Sequence, residues 1–103
     1  MVAMKANLHI EHPVHDFDAW KRVFDSFHDF RVKHDVRSVR VGRTVDADSH
    51  VAIDLVFDSA DAAAAFHRLL KERVWRQQQA ADLLTGPPSA VVVNLVEDTT
   101  ISP

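Results

Sequence analysis

The sequence contains no cysteine and no tyrosine. The lack of cysteine excludes disulfides, thiolate nucleophiles, iron–sulfur clusters and cysteine zinc sites. The lack of tyrosine excludes a phenol side chain as an acid, a base or a radical relay. No apolar run approaches the roughly 20 residues of a membrane span, and the segment MVAMKANLHI lacks the apolar region of a signal peptide. We therefore expect a cytoplasmic protein that does not bind membranes.

The chain also lacks an excess of positive charge, with a formal net charge of −3 at pH 7. This balance gives no general attraction to nucleic acid. Its 103 residues are enough for one domain with a core. We predict a single domain over residues 1–103, structured from about residue 5 to residue 98.

The segment DFDAWKRVFDSFHDFR, residues 16–31, carries five of the eight aromatic residues. Three of its aromatic residues, Trp20, Phe24 and Phe27, recur at helical spacing and lie on one face. Arg31 follows four residues after Phe27, so the aromatic stripe ends in a cation. The pattern predicts one amphipathic helix, from a cap at Asp16 to about residue 33 or 34, that needs a broad apolar surface.

Four other segments alternate apolar and polar residues, as half-buried strands do. They are predicted at residues 5–14, 36–45, 50–57 and 90–97, with a hairpin loop at residues 46–49. A second helical stretch begins at Asp58 or Ser59, bends near residues 73–75, continues through Leu84 and ends before Gly86. The order β-α-β-β-α-β predicts a ferredoxin-like α+β fold, in which both helices cover one face of a four-stranded antiparallel sheet.

Alternation divides the strand residues between the two faces of that sheet. The apolar set predicted to lie under the helices is Val39, Val41, Val51, Ile53, Leu55, Phe57, Val91, Val93 and Leu95. The other face mixes small, β-branched and single polar residues, namely Asn7, His9, Glu11, Arg40, Gly42, Thr44, Ala52, Asp54, Val56, Val92, Asn94 and Val96. A solvent-facing sheet surface is usually more uniformly charged. We predict a homodimer whose two sheets face each other as a barrel.

A polar row is expected across this second face, running from Asn94 through His9 or Asn7 and Asp54 to Arg40. The row has two interpretations. It forms hydrogen bonds and ion pairs within or beside the dimer interface, or it contains a catalytic dyad of His9 and Asp54. The face carries no aromatic residue on which RNA bases could stack, so nucleic acid is not an expected partner.

The pattern HIEHPVHDFDAWKRVFDSF, then RSVRVGRTVDADSHVAIDLVFDSADAAAAF, then GPP before the last strand, resembles the dimeric α+β barrel superfamily. Within it, the likeness is to small bacterial proteins grouped with antibiotic-biosynthesis monooxygenases and polyketide cyclases. The likeness covers most of residues 5–98. Because one fold hosts unrelated activities, it implies the fold and the dimer more strongly than a reaction.

In such barrels the ligand cleft usually lies within each protomer, between the sheet and the helices. The residues placed there by the resemblance are Trp20, Phe24, Phe27, Arg31, Phe66, His67, Leu70 and Trp75, with His12 and Arg43 at strand ends. The expected ligand is a flat, partly anionic aromatic molecule of the polyketide kind. His67 and Arg31 are the predicted catalytic residues. His12 is an alternative general base, because imidazole titrates near neutral pH.

Haem-degrading members of the superfamily use an asparagine on the first strand with a tryptophan and a histidine on the second helix. Asn7 fits the first position, but Phe66 stands at the tryptophan position and Trp75 near the histidine position. We therefore expect neither haem nor another tightly held cofactor.

Three histidines, His9, His12 and His15, suggest a metal motif at first sight. On a strand, however, residues three apart point to opposite faces. Pro13 also prevents the segment from forming a helix that would bring them together. No metal site is expected.

Two hypotheses for function follow. The first is an enzyme of the monooxygenase or cyclase type that acts on a flat aromatic substrate without a cofactor. The second is a non-catalytic dimer that binds a small ligand or is purely structural. An open cavity lined by tryptophan with arginine or histidine favours the first, and a cleft filled by the protein's own side chains favours the second.

Overall fold

The computed structural model describes residues 4–103, apart from the side chains of residues 47 and 48. The first three residues of the predicted domain lie outside the described part. In chain order the elements are β1 (Ala6–Pro13), α1 (Phe17–Ser26), α2 (His28–Lys33), β2 (Ser38–Thr44), β3 (Ala47–Phe57), α3 (Ala60–Leu69), a π-helical turn (Leu70–Val74), α4 (Trp75–Ala80) and β4 (Ser89–Asn94). The predicted order is confirmed, and each predicted helix is divided.

The four strands form one antiparallel sheet in the order β2-β3-β1-β4. The two central strands supply the floor of the core, because alternate residues of β1 and β3 turn toward the helices and are buried. Trp20 of α1 and Phe66 of α3 pack on this floor, with exposed fractions of 1% and 2%. The fold is therefore the predicted ferredoxin-like α+β arrangement.

The prediction for the last strand is wrong by one residue. Val92 pairs with Leu8 and lies on the helix-covered face, whereas Val91 and Val93 pair with His9 and Asn7 on the other face. Val91 and Val93 are accordingly 52% and 44% exposed. Three consecutive valines give no alternation from which to read the register, and a slip of one residue exchanges the two faces.

This register also changes the predicted polar row. Asn94 pairs with Ala6, so it lies outside the row and on the covered side. The remaining part is confirmed, because His9 pairs with Asp54 and Asp54 pairs with Arg40. The face opposite the helices, which we call the open face, therefore carries a polar row across three strands and valines on the fourth.

The hairpin between β2 and β3 is tighter than predicted. Strand β3 begins at Ala47, so the turn consists of Val45 and Asp46 and the predicted loop at residues 46–49 is wrong. The small and polar residues of this segment indicated a loop, but pairing with β2 continues to Thr44 and overrides that preference.

The predicted first helix reaches its expected end at Lys33 but is interrupted at Phe27, which separates α1 from α2. Ser26 Oγ donates to the carbonyl of Val23 at 2.5 Å, and the amide of Phe27 donates to Phe24 at 3.1 Å. A serine that bonds the preceding turn competes with the regular helical pattern. The interruption brings Arg31 back over Phe24, since Arg31 Nη1 donates to the same Phe24 carbonyl at 2.9 Å.

The second helical stretch changes type rather than running on. The bend predicted near residues 73–75 corresponds to the π-helical turn at Leu70–Val74, after which α4 ends at Ala80. The predicted continuation to Leu84 is wrong. Asp82 adopts a left-handed conformation with φ 58°, which ends the helix before the glycine and prolines. Leu84 is instead buried and forms an isolated β-bridge with Val14, the residue that follows β1.

Candidate functional site

A cavity of about 40 Å³ lies between the sheet and the helices, and we call it the inner cavity. It is lined by Ile10, His12, Trp20, Phe24, Phe27, Phe30, Arg31, Ile53, Leu55, Phe66, Leu70, Val74, Trp75 and Gln78. A space of this size holds about three water molecules. The aromatic side chains thus fill most of the cleft and leave a small space beside the core that is partly open to the surface.

The aromatic stripe of α1 forms one wall of the inner cavity. The ring centroids of Trp20 and Phe24 lie 5.0 Å apart, and those of Trp20 and His12 lie 5.3 Å apart. The guanidinium carbon of Arg31 lies 3.9 Å from the centroid of the Phe24 ring. A continuous series of ring contacts therefore runs from the imidazole at the end of β1, which meets Trp20 edge-on, to the cation on α2.

Three buried polar atoms around this cavity have no hydrogen-bond partner among the described residues. They are the Trp20 Nε1 and Arg31 Nε donors and the Gln78 Oε1 acceptor. The exposed fractions of these side chains are 1%, 7% and 5%. An unpaired buried polar group costs roughly 1–3 kcal/mol. Bound water or a ligand in the cavity would supply the missing partners.

His12 is buried at the edge of the same cavity, and burial lowers its pKa below the usual value of 6.5. Its Nδ1 lies 3.4 Å from the carbonyl oxygen of Pro13. Since a carbonyl can only accept, this long contact favours the tautomer that carries its proton on Nδ1 and has Nε2 as the basic nitrogen. The geometry therefore supplies a neutral imidazole next to Trp20.

The structure brings together eight of the predicted site residues around the inner cavity: His12, Trp20, Phe24, Phe27, Arg31, Phe66, Leu70 and Trp75. His67 does not line it. Its ring packs edge-on against Trp75 with centroids 5.7 Å apart, and burial, with a smaller effect of Lys71, lowers its pKa. Arg43 also lies elsewhere, exposed over the Phe17 ring at 4.4 Å.

Two polar or aromatic lining residues escaped the prediction of the site. Gln78 follows Trp75 by three residues, so helical spacing could have indicated a shared face. Phe30 was not among the predicted site residues, yet its ring packs against Phe66 at 5.6 Å and lines the cavity. Phe30 follows the interruption at Phe27, which no pattern in the sequence indicated.

An open groove of about 550 Å³ lies outside the inner cavity, between α1–α2 and the edge strand β2. We call it the outer groove. Phe24 and Arg31 line both spaces and so form the partition between them. The floor of the groove includes Val39 and Val41. Strand β2 lies at the edge of the sheet, and Val39 is 43% exposed.

The open face carries a hydrogen-bonded network around His9. Its Nδ1 lies 2.8 Å from Asp54 and its Nε2 lies 2.8 Å from Glu11, which is also 3.2 Å from His50. The bonds to Asp54 and Glu11 raise the pKa of His9, and the bonds from His9 and His50 lower the pKa of Glu11. Both ring nitrogens of His9 are occupied, which favours the structural interpretation of this row over a catalytic dyad.

Among the side chains described within residues 4–103, which leave out those of residues 47 and 48, no group of three or more histidines or carboxylates is arranged to hold a metal ion. None of the helices described in that range combines the length and the apolar composition needed to cross a membrane.

No protein-family model and no curated protein matches the sequence, but solved structures do. A proposed antibiotic biosynthesis monooxygenase from Nitrosomonas europaea has a TM-score of 0.72 at 14% identity, over 97% of this chain and 98% of that chain. A variant of SnoaB, a cofactor-independent oxygenase from Streptomyces nogalater, has a TM-score of 0.69 at 18% identity, over 93% and 97%. A monooxygenase from the gene ActVA-Orf6 of Streptomyces coelicolor, solved with nanaomycin D, has a TM-score of 0.64 at 16% identity, over 97% and 93%. The chain therefore has the ferredoxin-like α+β fold of the antibiotic biosynthesis monooxygenase-like proteins.

Proposed function

We propose that the protein is a homodimeric, cofactor-free monooxygenase that oxidises a flat aromatic, polyketide-like molecule between its sheet and its helices. The observation that carries the proposal is the inner cavity, where aromatic rings enclose three unpartnered buried polar atoms. The similarity in fold to a cofactor-independent oxygenase supports the choice of reaction.

The lining suits an aromatic ligand that also carries oxygen substituents. Trp20, Phe24, Phe27, Phe66 and Trp75 present ring faces and edges for stacking. The unpartnered Nε1 and Nε donors supply hydrogen bonds to ligand oxygens. Ligand sites usually enclose roughly 300–1,000 Å³, so a tricyclic substrate requires the partition between the inner cavity and the outer groove to open.

The proposed reaction uses no cofactor, so the substrate itself must supply the electrons and must be electron-rich. A ring CH₂ next to a phenol loses a proton to a base, and the resulting anion gives its electrons to dioxygen. In the balanced step CH₂ + O₂ becomes C=O + H₂O, so the substrate is the reductant and dioxygen the oxidant. His12 is the base in this proposal, because its neutral imidazole keeps Nε2 free beside Trp20.

Oxygen consumption with a hydroxylated anthrone, followed with the appearance of the quinone, tests the activity. A general base contributes about 10²–10⁴-fold, so His12→Gln should lower kcat by about 100-fold or more. His67→Ala is the matched comparison, because His67 was the predicted base and lies behind Trp75. A larger loss in His67→Ala than in His12→Gln would return the role to His67. No rate above the spontaneous oxidation would refute the proposal.

A second copy of the chain is the proposed cover of the open face. Val91 and Val93 are 52% and 44% exposed there, beside the paired charges of the His9 network. Such a mixture of valines and satisfied polar groups is typical of an interface between copies. Light scattering should give twice the chain mass of 11.6 kDa. The double change Val91→Lys and Val93→Lys should shift the protein toward monomer, while Val45→Lys in the exposed hairpin turn should not.

Two alternatives use the same site. A cyclase would form a carbon–carbon bond without consuming oxygen, so product analysis under nitrogen separates it from the monooxygenase. A non-catalytic binding or structural dimer is favoured by the small volume of the inner cavity, about 40 Å³. Binding of an anthrone without turnover in either atmosphere would support the binding protein, and no binding would support the structural role.

A further inference from the structure

Arg31 is a buried cation without a carboxylate partner among the described residues. Its side chain is 7% exposed, and burial lowers its pKa. The contrast is Arg37, which is exposed and forms two hydrogen bonds to Asp58. Removing a guanidinium from water without an anion is costly, even when part of the charge contacts an aromatic ring. Such a group is expected where an anion binds.

The orientation of the guanidinium group leaves one edge free. Nη1 donates to the Phe24 carbonyl at 2.9 Å, and the Phe24 ring stacks on the guanidinium plane at 3.9 Å. These contacts fix the plane and occupy one side of it. On the opposite edge, formed by Nε and Nη2, Nε has no hydrogen bond to any residue that the structure describes and is covered by its neighbours, so a ligand reaches it only when they move. This is the edge that a carboxylate binds with two parallel hydrogen bonds.

The free edge lies at the partition between the two spaces, because Arg31 lines both the inner cavity and the outer groove. The acidic residue of the groove, Asp25, is already paired with Lys21 at 2.6 Å. The groove has an open volume of about 550 Å³ and an apolar floor at Val39 and Val41. That volume lies within the usual range of small-molecule sites.

From this arrangement we infer that the site binds an organic carboxylate with an apolar body. The carboxylate lies on the Nε–Nη2 edge of Arg31, and the apolar body occupies the outer groove against Phe24 and the edge strand. A hydrogen-bonding substituent extends into the inner cavity, toward Trp20 Nε1 and Gln78 Oε1. This carboxylate is the proposed ligand class of the site described above. The inference rests on the proposed function only in treating that ligand as a substrate.

Isothermal titration with 2-naphthoate and its neutral isostere 2-naphthamide tests the charge requirement. We expect the wild-type protein to bind the carboxylate at least about 10-fold more tightly than the amide. Arg31→Gln should remove that preference, and Arg31→Lys should keep only part of it because it lacks the fork. Arg22→Gln is the matched control, since Arg22 is exposed on α1 and lines neither space.

The two tryptophans report where binding occurs, because both line the inner cavity. We expect 2-naphthoate to change the tryptophan emission more than 2-naphthamide at equal concentration. Equal affinity for the two compounds, or binding of neither, would overturn the inference. So would a preference that survives Arg31→Gln or is lost in Arg22→Gln. If Arg31→Gln does not fold, the wild-type ratio and Arg31→Lys decide.

The outcome separates this inference from the proposed function. A preference for carboxylates without oxygen uptake from any carboxylated anthrone leaves the ligand class standing and refutes the monooxygenase. Oxygen uptake from a neutral anthrone, together with no preference for carboxylates in binding, would refute the inferred ligand class and leave the monooxygenase standing.

Discussion

Replacing Arg31 with methionine should make the protein more stable while it removes the anion site. Methionine is about as long as the aliphatic part of arginine and suits the surrounding aromatic rings. The change removes a charged hydrogen bond worth about 1.5–3 kcal/mol and a ring contact worth about 1–2 kcal/mol. The carbonyl of Phe24 is not left unpaired, because it keeps the bond from the Phe27 amide at 3.1 Å.

The gain in Arg31→Met comes from two sources. The cost of burying a cation that Asp25 compensates only in part, several kcal/mol per ion, disappears. An apolar side chain then occupies a largely buried position, which contributes about 1.5–3 kcal/mol. We expect a net increase of about 1 kcal/mol in the free energy of unfolding, equivalent to a rise in Tm of about 4–8 °C.

Urea unfolding followed by circular dichroism, at one fixed protein concentration, measures this change. Arg43→Met is the control, because Arg43 also stacks on a phenylalanine, at 4.4 Å, but is exposed. It should change stability by no more than about 0.5–1 kcal/mol. If Arg31→Met loses more than about 1 kcal/mol relative to this control, Arg31 stabilises the fold and the argument from an uncompensated charge is wrong.

Two further predictions concern pH and helix capping. Burial lowers the pKa of His12 below 6.5. As the pH falls below 6.5, the unfolded chain therefore binds a proton that the folded chain does not, and the free energy of unfolding decreases. The bonds to Asp54 and Glu11 raise the pKa of His9 above 6.5, so its contribution is full below pH 6.5 and is lost as the pH rises through the folded pKa. Urea unfolding between about pH 5 and about pH 8.5 measures the free energy of unfolding as a function of pH. His12→Gln should weaken its pH dependence on the acid side, and His9→Gln should weaken it on the alkaline side. An exchange of the two effects would contradict both assignments. Separately, Ser59→Ala should cost about 1 kcal/mol, because Ser59 Oγ accepts from the Ala62 amide at 3.1 Å and caps α3, whereas Ser102→Ala in the exposed C-terminal segment should leave the urea midpoint unchanged.

The sequence predicts the features of the fold that follow from strong periodicity. The aromatic stripe of α1, the alternation in β1 and β3, and the order of elements all follow from it, because burial of one face imposes the period. The valines at residues 91–93 have no alternation, so the register of β4 depended on pairing with β1. A local pattern cannot predict the register of a strand where contacts with another strand determine it.

The candidate site could be predicted only as a set of residues. Trp20, Phe24 and Arg31 were indicated by their spacing, but the free edge of the guanidinium depends on the interruption at Phe27. The volume left between the aromatic rings depends on their exact packing, which no spacing specifies. His12 lines the cavity, whereas His67 contacts Trp75, which lines the cavity in its place. Residue spacing alone does not distinguish these two positions.

The π-helical turn at Leu70–Val74 sets the rotational phase of everything that follows it in the second helical stretch. A regular helix advances about 100° per residue, so an uninterrupted continuation of α3 would place Trp75 and Gln78 roughly 120–180° around the axis from Phe66. The wider turn rotates α4 back, and all three side chains line one cavity. Deletion of one residue from this turn would restore a regular helix with the indole and the amide eight and eleven positions after Phe66, roughly 80° and 20° around the axis, so both would stay on the cavity side. A change that makes the turn a regular helix at constant length would instead rotate both side chains away from the cavity, while the sheet and its core remain the same.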